Sequence, residues 1–355
     1  MNTSQRIVKL AILKPDSSDV YKNWIKAINE SGLSINYKII NIEKETWLTE
    51  ISSECFDMVL ISPPFVISSK KLLMDERVNF ISNVLKLRTY PDSNSFYTWE
   101  NKRVLNYYLN YFKIPFPNTV CFSIKGEAED YINSCAYPLV AKVITGAAGL
   151  GVRFIKNKNE AKRYIGAAFS KGVRSKTGPN FRQPKVIKRL WSGFWRKDYI
   201  KEKLSEYKSV KNEKQIGCVF FQEFIPHTYE WRCVRIDDSF FAHKKLINNN
   251  RASGSLLKGY DKPSEKLLNF VRSVSEIMNI TSASFDIFET SDGQFLVNEV
   301  QTFFGQSDSY QMIVDGRIGR YLYINEQWLF EEGDFNKNKS YNLRLEHVLK
   351  LIENK

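Results

Sequence analysis

Residues 138–155 read PLVAKVITGAAGLGVRFI, a glycine-rich stretch whose setting decides the fold. PLVAKVI and GVRFI are apolar, β-branched runs that read as strands, which makes TGAAGLG the tip of a hairpin. Most glycine loops that cradle phosphate run from a strand into a helix. The Walker pattern sets a Lys directly after its last glycine, and the dinucleotide fingerprint spaces its glycines differently. Here the glycines are Gly146, Gly149 and Gly151, and Lys142 precedes them. With Ala147 and Ala148 between, no large side chain keeps backbone N–H groups from closing on phosphate oxygens. A plain tight hairpin whose glycines only permit positive φ is the alternative. Protein kinases also lay a glycine hairpin over a nucleotide, but their Lys follows on the next strand, and HRD and DFG are absent here.

Downstream, SFDIFETSDGQFLVNEVQ (284–301) puts Asp286 on one strand and Glu299 with Gln301 on the next, across an SDGQ turn. Residues i and i+2 of a strand share a face, so Glu299 and Gln301 project together, and hairpin pairing brings Asp286 to the same side. Three oxygen donors on one face suit Mg²⁺. Glu299 as a solvated edge charge is the alternative, but Leu296, Val297 and Val300 make its strand read as buried, and a buried carboxylate needs a partner. Between the two motifs lies FFQEFIPHTYEWRCVRI (220–236). Its QEFI, Gln222 to Ile225, ends a hydrophobic strand where backbone groups of Glu223 and Ile225 can meet an adenine edge, with Glu230 placed for ribose hydroxyls. Glu223 as a surface acid at a strand end is the plain alternative.

The bulk properties of the 355 residues agree with a globular chain: 43% hydrophobic, 14% aromatic and 26% charged. The N-terminal apolar run is too short for a signal peptide and reads as a buried first strand, and no stretch is long enough to span a bilayer. Five scattered cysteines without a CxxC fit a reducing cytoplasm and give no zinc signal. Three histidines, His227, His243 and His347, argue against a His-based metal site or a Ser-His-Asp triad. The net charge of +13 is concentrated: residues 171–214 hold fourteen Lys and Arg against four acids, a net +10. The remainder is near neutral, so the basicity belongs to one insertion.

The first ninety or so residues alternate strand and helix. IVKLAIL, SINYKIIN and DMVLISPP read as strands, and DVYKNWIKAINESG as a helix closed by Gly32, a small open α/β sheet. TYPDSNSFYT (89–98) reads as a linker. NKRVLNYYLNYFKIPFPNT then gives an apolar-faced helix ending at two prolines, followed by strand pairs with short turns and helices at NEAKRYIGAAFS and PSEKLLNFVRSVSEIMN.

The ordered set is Lys102 after a linker, Lys142 before a glycine hairpin, QEFI, EWR, RASG and D…NEVQ. It resembles the ATP-grasp superfamily from about residue 95 to 310, with WENKRVLNYYLNYFKIPFPNT similar to the family's opening Lys-helix signature. The resemblance implies an α/β (α+β) ATP-grasp fold. Two α+β subdomains, residues 96–220 and 221–335, would clamp ATP, after a small open α/β pre-ATP-grasp domain at 1–95 and before a C-terminal helix at 336–355. It implies Lys102 and Lys142 on the ATP phosphates under Gly146 to Gly151, Gln222 to Ile225 along the adenine, Glu230 at the ribose, and Asp286, Glu299 and Gln301 on two Mg²⁺ ions. Gln301 departs from the family's usual Asn, and Ser284 stands where some members carry an Arg. The cations left for catalysis are Arg232 and Arg251, with Arg251 favoured because ribosomal-protein glutamate ligases carry a similar Arg-x-Asn segment there.

The implied activity is ADP-forming ligation of a carboxylate to an amine through an acylphosphate, both small molecules. The motif run looks most like ATP-grasp proteins of surface-polysaccharide or cell-wall modification, which points to a sugar uronate or an amino acid. Alternatives are a kinase acting on a hydroxyl and a non-catalytic nucleotide-binding module. In the insertion, KVIKRLWSGFWRKDYIKEKL (185–204) sets Trp191, Phe194, Trp195 and Tyr199 at near-helical spacing among basic residues. An aromatic flap packed on the protein is the favoured reading; contact with anionic lipid or with an anionic, lipid-linked acceptor is the alternative, and nucleic acid is disfavoured. The expected location is cytoplasmic, with peripheral membrane contact as a variant.

Overall fold

The structure, a computed structural model, describes residues 6–16, 18–64, 67–146, 151–174, 213–248, 251–252, 257–305 and 308–354, with the backbone alone at 248, 251 and 252. The first unit is a parallel sheet in the order β2-β1-β3-β4, built from β1 (Val8–Lys14), β2 (Ile35–Asn41), β3 (Met58–Leu60) and β4 (Thr89–Tyr90). Leu10 to Leu13 are buried without alternation because helices cover both faces. Trp24 and Ala27 of α1 (Lys22–Ser31) pack on Leu10, Ile12, Met58 and Leu60. On the other face Ile51 of α2 (Trp47–Ser52) and Met74, Val78 and Ile81 of α3 (Ser68–Asn83) meet Ala11, Leu13 and Val59. Gly32 ends α1 in the left-handed region at φ 67°, where a side chain would be strained.

The stretch read as a linker, 89–98, is structured instead. Thr89 and Tyr90 join the sheet, and the Asp92 carboxylate accepts the amides of Asn94 and Ser95 at 3.0 Å to start α4 (Ser93–Thr98). Pro-Asp reads equally as a turn and as a helix cap, and here the cap wins. Asn101 caps α5 (Lys102–Tyr111) in the same manner.

A second, antiparallel sheet has the order β5-β8-β6-β7: β5 (Thr119–Phe122), β6 (Leu139–Lys142), β7 (Arg153–Ile155) and β8 (Val219–Glu223). One face, with Ala141, Ile155, Val219 and Phe221, packs on Ala128 of α6 (Lys125–Tyr131) and on Ala161 and Ile165 of α7 (Lys158–Ala168). Alternation sends Thr119, Val140, Lys142, Phe154, Phe220 and Gln222 to the opposite face. The basic insertion leaves and returns through mutual backbone hydrogen bonds between Val173 and Gln215, at 2.9 and 2.8 Å; residues 175–212 lie outside the described residues.

The larger sheet runs β14-β13-β9-β10-β16-β15, with β11 and β12 on β10 and β17 on β16. Its strands are β9 (Tyr229–Ile236), β10 (Ser239–Asn248), β11 (Arg251–Ala252), β12 (Lys258–Gly259), β13 (Ser282–Glu289), β14 (Phe295–Gln301), β15 (Ile313–Val314), β16 (Arg317–Ile324) and β17 (Gln327–Glu332). Leu267, Val271 and Val274 of α8 (Glu265–Ile277) and Leu105 and Leu109 of α5 bury Cys233, Phe285, Ile287, Val297 and Val300. Val297 and Val300 are three apart, which strict alternation would put on opposite faces. A bulge resolves this: Asp286 pairs with Glu299 but Ile287 pairs with Val297, so Asn298 is the extra residue. The last helix, α9 (Tyr341–Glu353), returns to the first unit, where Tyr341, Leu345 and Val348 join Trp24 and Tyr90.

Candidate active site

Four strands of the large sheet contribute one row across its open face. Glu299 on β14 opposes Asp286 on β13, which opposes Arg232 on β9, which opposes His243 on β10. In the neighbouring row Glu230 on β9 opposes Lys245 on β10. The bulge adds Asn298 beside Glu299. The hairpin thus sets Asp286 and Glu299 opposite one another on the face the i, i+2 pattern implies, and α5 and β6 bring Lys102 and Lys142 to the same place.

Asp286 is more firmly held than a metal acid needs to be. Its carboxylate accepts from Arg232 Nε, from Arg232 Nη2 at 3.0 Å and from Lys245 Nζ at 2.7 Å, and Lys245 also donates to Glu230 at 2.8 Å. Burial alone would raise the Asp286 pKa, but Arg232 and Lys245 overcome it and hold the group below the usual carboxylate range. Two acids and two bases leave a buried cluster without net charge, the arrangement in which interior ions are tolerated. Arg232, named as a catalytic cation, has its guanidinium committed to Asp286. Lys245 carried no sequence signal, because its partners lie 15 and 41 residues away.

At the junction of the two sheets the lysines converge. Lys102 donates its backbone N–H to Ile144 O at 3.2 Å and its ammonium to Gly146 O at 2.7 Å, fastening α5 to the start of the glycine loop. Lys142 Nζ reaches across to Asn298 Oδ1 at 2.9 Å. Burial pushes the Lys142 pKa down to about 8, with Glu299 opposing the fall. A narrow cavity here is lined by Lys102, Leu105, Leu109, Lys142, Phe220 and Gln222. Gln222 donates to Thr119 Oγ1 at 3.2 Å. Gly151 adopts φ 84°, the left-handed region that favours glycine, while Ala147, Ala148 and Gly149 lie outside the described residues.

Beyond the lysines is an aromatic slot. Phe224 meets Phe154 edge-on at 5.0 Å between ring centroids, and His227 packs on Phe288 at 4.5 Å. The Glu223 side chain is exposed and its N–H donates to Asn118 O at 2.9 Å; His227 Nδ1 donates to Ile225 O at 2.6 Å. Glu230 is buried, with Asn298 Nδ2 at 3.4 Å and His227 Nε2 at 3.7 Å from Oε1. The backbone of Arg251 pairs with Asn248, and its side chain lies outside the described residues.

Among the described residues no three His, Cys, Asp or Glu side chains cluster as a ready metal site. The donors that fit a hard divalent cation are gathered at Glu299 and not at Asp286, whose oxygens are spent on nitrogen donors. Glu299 Oε1 accepts from Gln301 Nε2 at 2.8 Å and stands 4.0 Å from Lys102 Nζ, and Gln301 Oε1 is buried without a hydrogen-bond partner.

A cleft between a small four-strand sheet and a larger antiparallel one, with lysines where they meet and acids on the large sheet, is the layout of the ATP-grasp fold, and the chain has that fold. Among solved structures it is similar to the D-cycloserine synthetase DcsG (TM-score 0.57, 12% identity, 98% of this chain and 99% of that one). It is likewise similar to D-alanine–D-alanine ligase from Bacillus anthracis complexed with ATP (TM-score 0.53, 13% identity, 98% and 99%). A RimK domain ATP-grasp protein from Sphaerobacter thermophilus DSM 20745 aligns over 84% of this chain and 92% of its own at TM-score 0.50 and 14% identity. No protein-family model matches the sequence, and no curated protein is similar to it at the sequence level.

Proposed function

We propose that the protein is an ATP-dependent ligase that joins a small-molecule carboxylate to an amine and releases ADP and phosphate. The observation that carries this is the convergence of Lys102, Lys142 and Glu299 where the two sheets meet: cations for a triphosphate beside an acid for its counter-ion. The aromatic slot of Phe154, Phe224 and Phe288 suits a purine. With the Glu223 N–H and the Ile225 C=O already engaged, the Glu223 C=O and the Ile225 N–H are the acceptor and donor for its edge. Residues 96–220 and 221–335 act as the two halves of the clamp, with 1–95 supporting them.

Lys102 and Lys142 neutralise the phosphates, so a substrate carboxylate attacks the γ-phosphorus with less repulsion. The acylphosphate formed is attacked by the amine, the tetrahedral oxyanion is stabilised by a cation, for which Arg251 is the candidate, and phosphate departs. Mg²⁺ held by Glu299 and Gln301 supplies further charge neutralisation on the phosphates when bound. No enzyme nucleophile is needed. The substrate reading is a sugar uronate or an amino acid of a cell-surface polymer, supported by the resemblance of the motif run, and the site of action is cytoplasmic. Among the described residues no helix is long and apolar enough to cross a membrane.

The test is incubation with ATP, Mg²⁺ and a panel of small acids and amines, with nucleotides separated chromatographically. ADP and phosphate appearing only with a matched acid is expected; AMP and pyrophosphate would overturn the reading.

A further inference from the structure

Glu100 stands between α4 and α5 in the left-handed region, at φ 51°, with 5% of its surface exposed. That backbone conformation is uncommon for a residue with a side chain, and it turns the carboxylate inward, toward the large sheet. There Gln301 Nε2 donates to Glu100 Oε1 at 3.0 Å and to Glu299 Oε1 at 2.8 Å. Lys102 Nζ stands 4.0 Å from Glu100 Oε2 and 4.0 Å from Glu299 Oε1. Two acids 199 residues apart in sequence therefore aim at one point, with a single amide nitrogen shared between them. Among the described residues, no donor reaches Glu100 Oε2 with hydrogen-bond geometry. Gln301 Oε1, on a side chain 9% exposed, is equally without a partner. A buried carboxylate oxygen and a buried amide oxygen left open on two side chains in contact are costly unless something binds them.

The geometry points to Glu100 as a ligand of the divalent cation that accompanies the nucleotide, with Glu299 and Gln301 completing the protein's oxygen donors and Asp286 withdrawn into its ion pairs with Arg232 and Lys245. This inference rests on the nucleotide–metal reading of the site. It explains the Gln at 301: its extra methylene relative to Asn is what lets the amide extend from β14 to Glu100. In the free protein the Gln301 NH₂ group occupies the position between the acids. A half-turn of that amide replaces two donated hydrogens by Oε1, so that three oxygens converge, and phosphate oxygens and water complete the shell that Mg²⁺ requires. Lys102 lies on the flank of the same point, where it and the cation can share the phosphates.

The test is a Mn²⁺ titration of the full chain followed by electron paramagnetic resonance, with a non-hydrolysable ATP analogue present. Wild type is compared with Glu100→Gln and Glu299→Gln, and thermal melting of the metal-free proteins is recorded alongside. The expected result is at least a tenfold loss of Mn²⁺ affinity in each variant, while E100Q melts no lower than wild type because it removes a buried, under-partnered charge. E100Q binding Mn²⁺ within twofold of wild type, with E299Q impaired, would overturn the role of Glu100 and leave the nucleotide site standing. Unchanged binding in both variants would overturn this inference and the nucleotide–metal reading together. Should E100Q not fold, Glu100→Asp keeps the charge but shortens its reach, and an unaltered Mn²⁺ affinity there counts equally against the inference.

Discussion

The Lys142 ammonium donates to Asn298 Oδ1 at 2.9 Å, and this bond joins the glycine-hairpin sheet to the bulged strand of the larger sheet. The lysine is the last residue of β6 and the asparagine is the residue that breaks the pairing of β14, so each sheet offers an irregular end to the other. Closing the cleft on a nucleotide would exchange this bond for phosphate contacts.

Lys142 should make nucleotide binding pH-dependent. Burial depresses its pKa to about 8 in the free protein, so the ammonium is retained below that value and lost above it. A triphosphate favours the charged form and draws the pKa back up. Affinity should therefore weaken as pH rises from 7 to 9, and binding at pH 8.5 should take up about half a proton or more. Calorimetry in buffers of differing ionisation enthalpy measures this; proton release on binding would contradict it. Lys142→Met should remove the uptake and cost at least tenfold in affinity.

The bulge predicts that the fold tolerates both replacing and removing its extra residue. Asn298→Ala loses a hydrogen bond to a charged group, about 1.5–3 kcal/mol of local interaction, and should fold while binding nucleotide more weakly. Deleting Asn298 sets Val297 and Val300 two apart, so strict alternation keeps both in the core and Glu299 on the opposite face, while the partner of Lys142 is lost. The deletion variant should therefore also accumulate as soluble protein and bind nucleotide more weakly; insoluble protein at matched expression levels would contradict this.

The bulge also marks what could be read from the chain. Asp286 opposite Glu299 was legible because both flank one tight turn, and local pairing follows from period two and turn chemistry. Lys142 before the glycines was legible on the same ground. Asn298 was not, since a bulge leaves no trace in the alternation of FLVNEV until partner strands are aligned. Glu100 and Lys245 were hidden for another reason: each is an ordinary charged residue whose meaning comes from a partner brought in by tertiary folding. Asp92 was misread because capping and turning use the same side-chain hydrogen bond.

Lys245 should matter to stability before it matters to catalysis. It bridges Glu230 and Asp286 at 2.8 and 2.7 Å inside the sheet. Lys245→Met removes one of two cations facing two buried acids, and breaking such a pair costs about 3–5 kcal/mol. The melting temperature should drop by several degrees. Lowering the pH should narrow the gap to wild type: the wild-type acids are held below their ordinary range, so their stabilisation is present at neutral pH and is lost as they protonate. A pH-independent gap would assign the loss to packing instead.

The aromatic slot predicts a binding defect separable from chemistry. Phe154 is 41% exposed on the cleft face of β7, with Phe224 edge-on at 5.0 Å. A large exposed aromatic backed by a second ring is poorly used unless a flat apolar ligand covers it. Phe154→Ala should leave the fold intact, since the ring is not in the core of its sheet. A ring that stacks on the base and not the phosphates is lost equally from ground state and transition state. The KM for ATP should therefore rise several-fold with kcat nearly unchanged. A fall in kcat at unaltered KM would place the purine elsewhere and remove the slot from the nucleotide site.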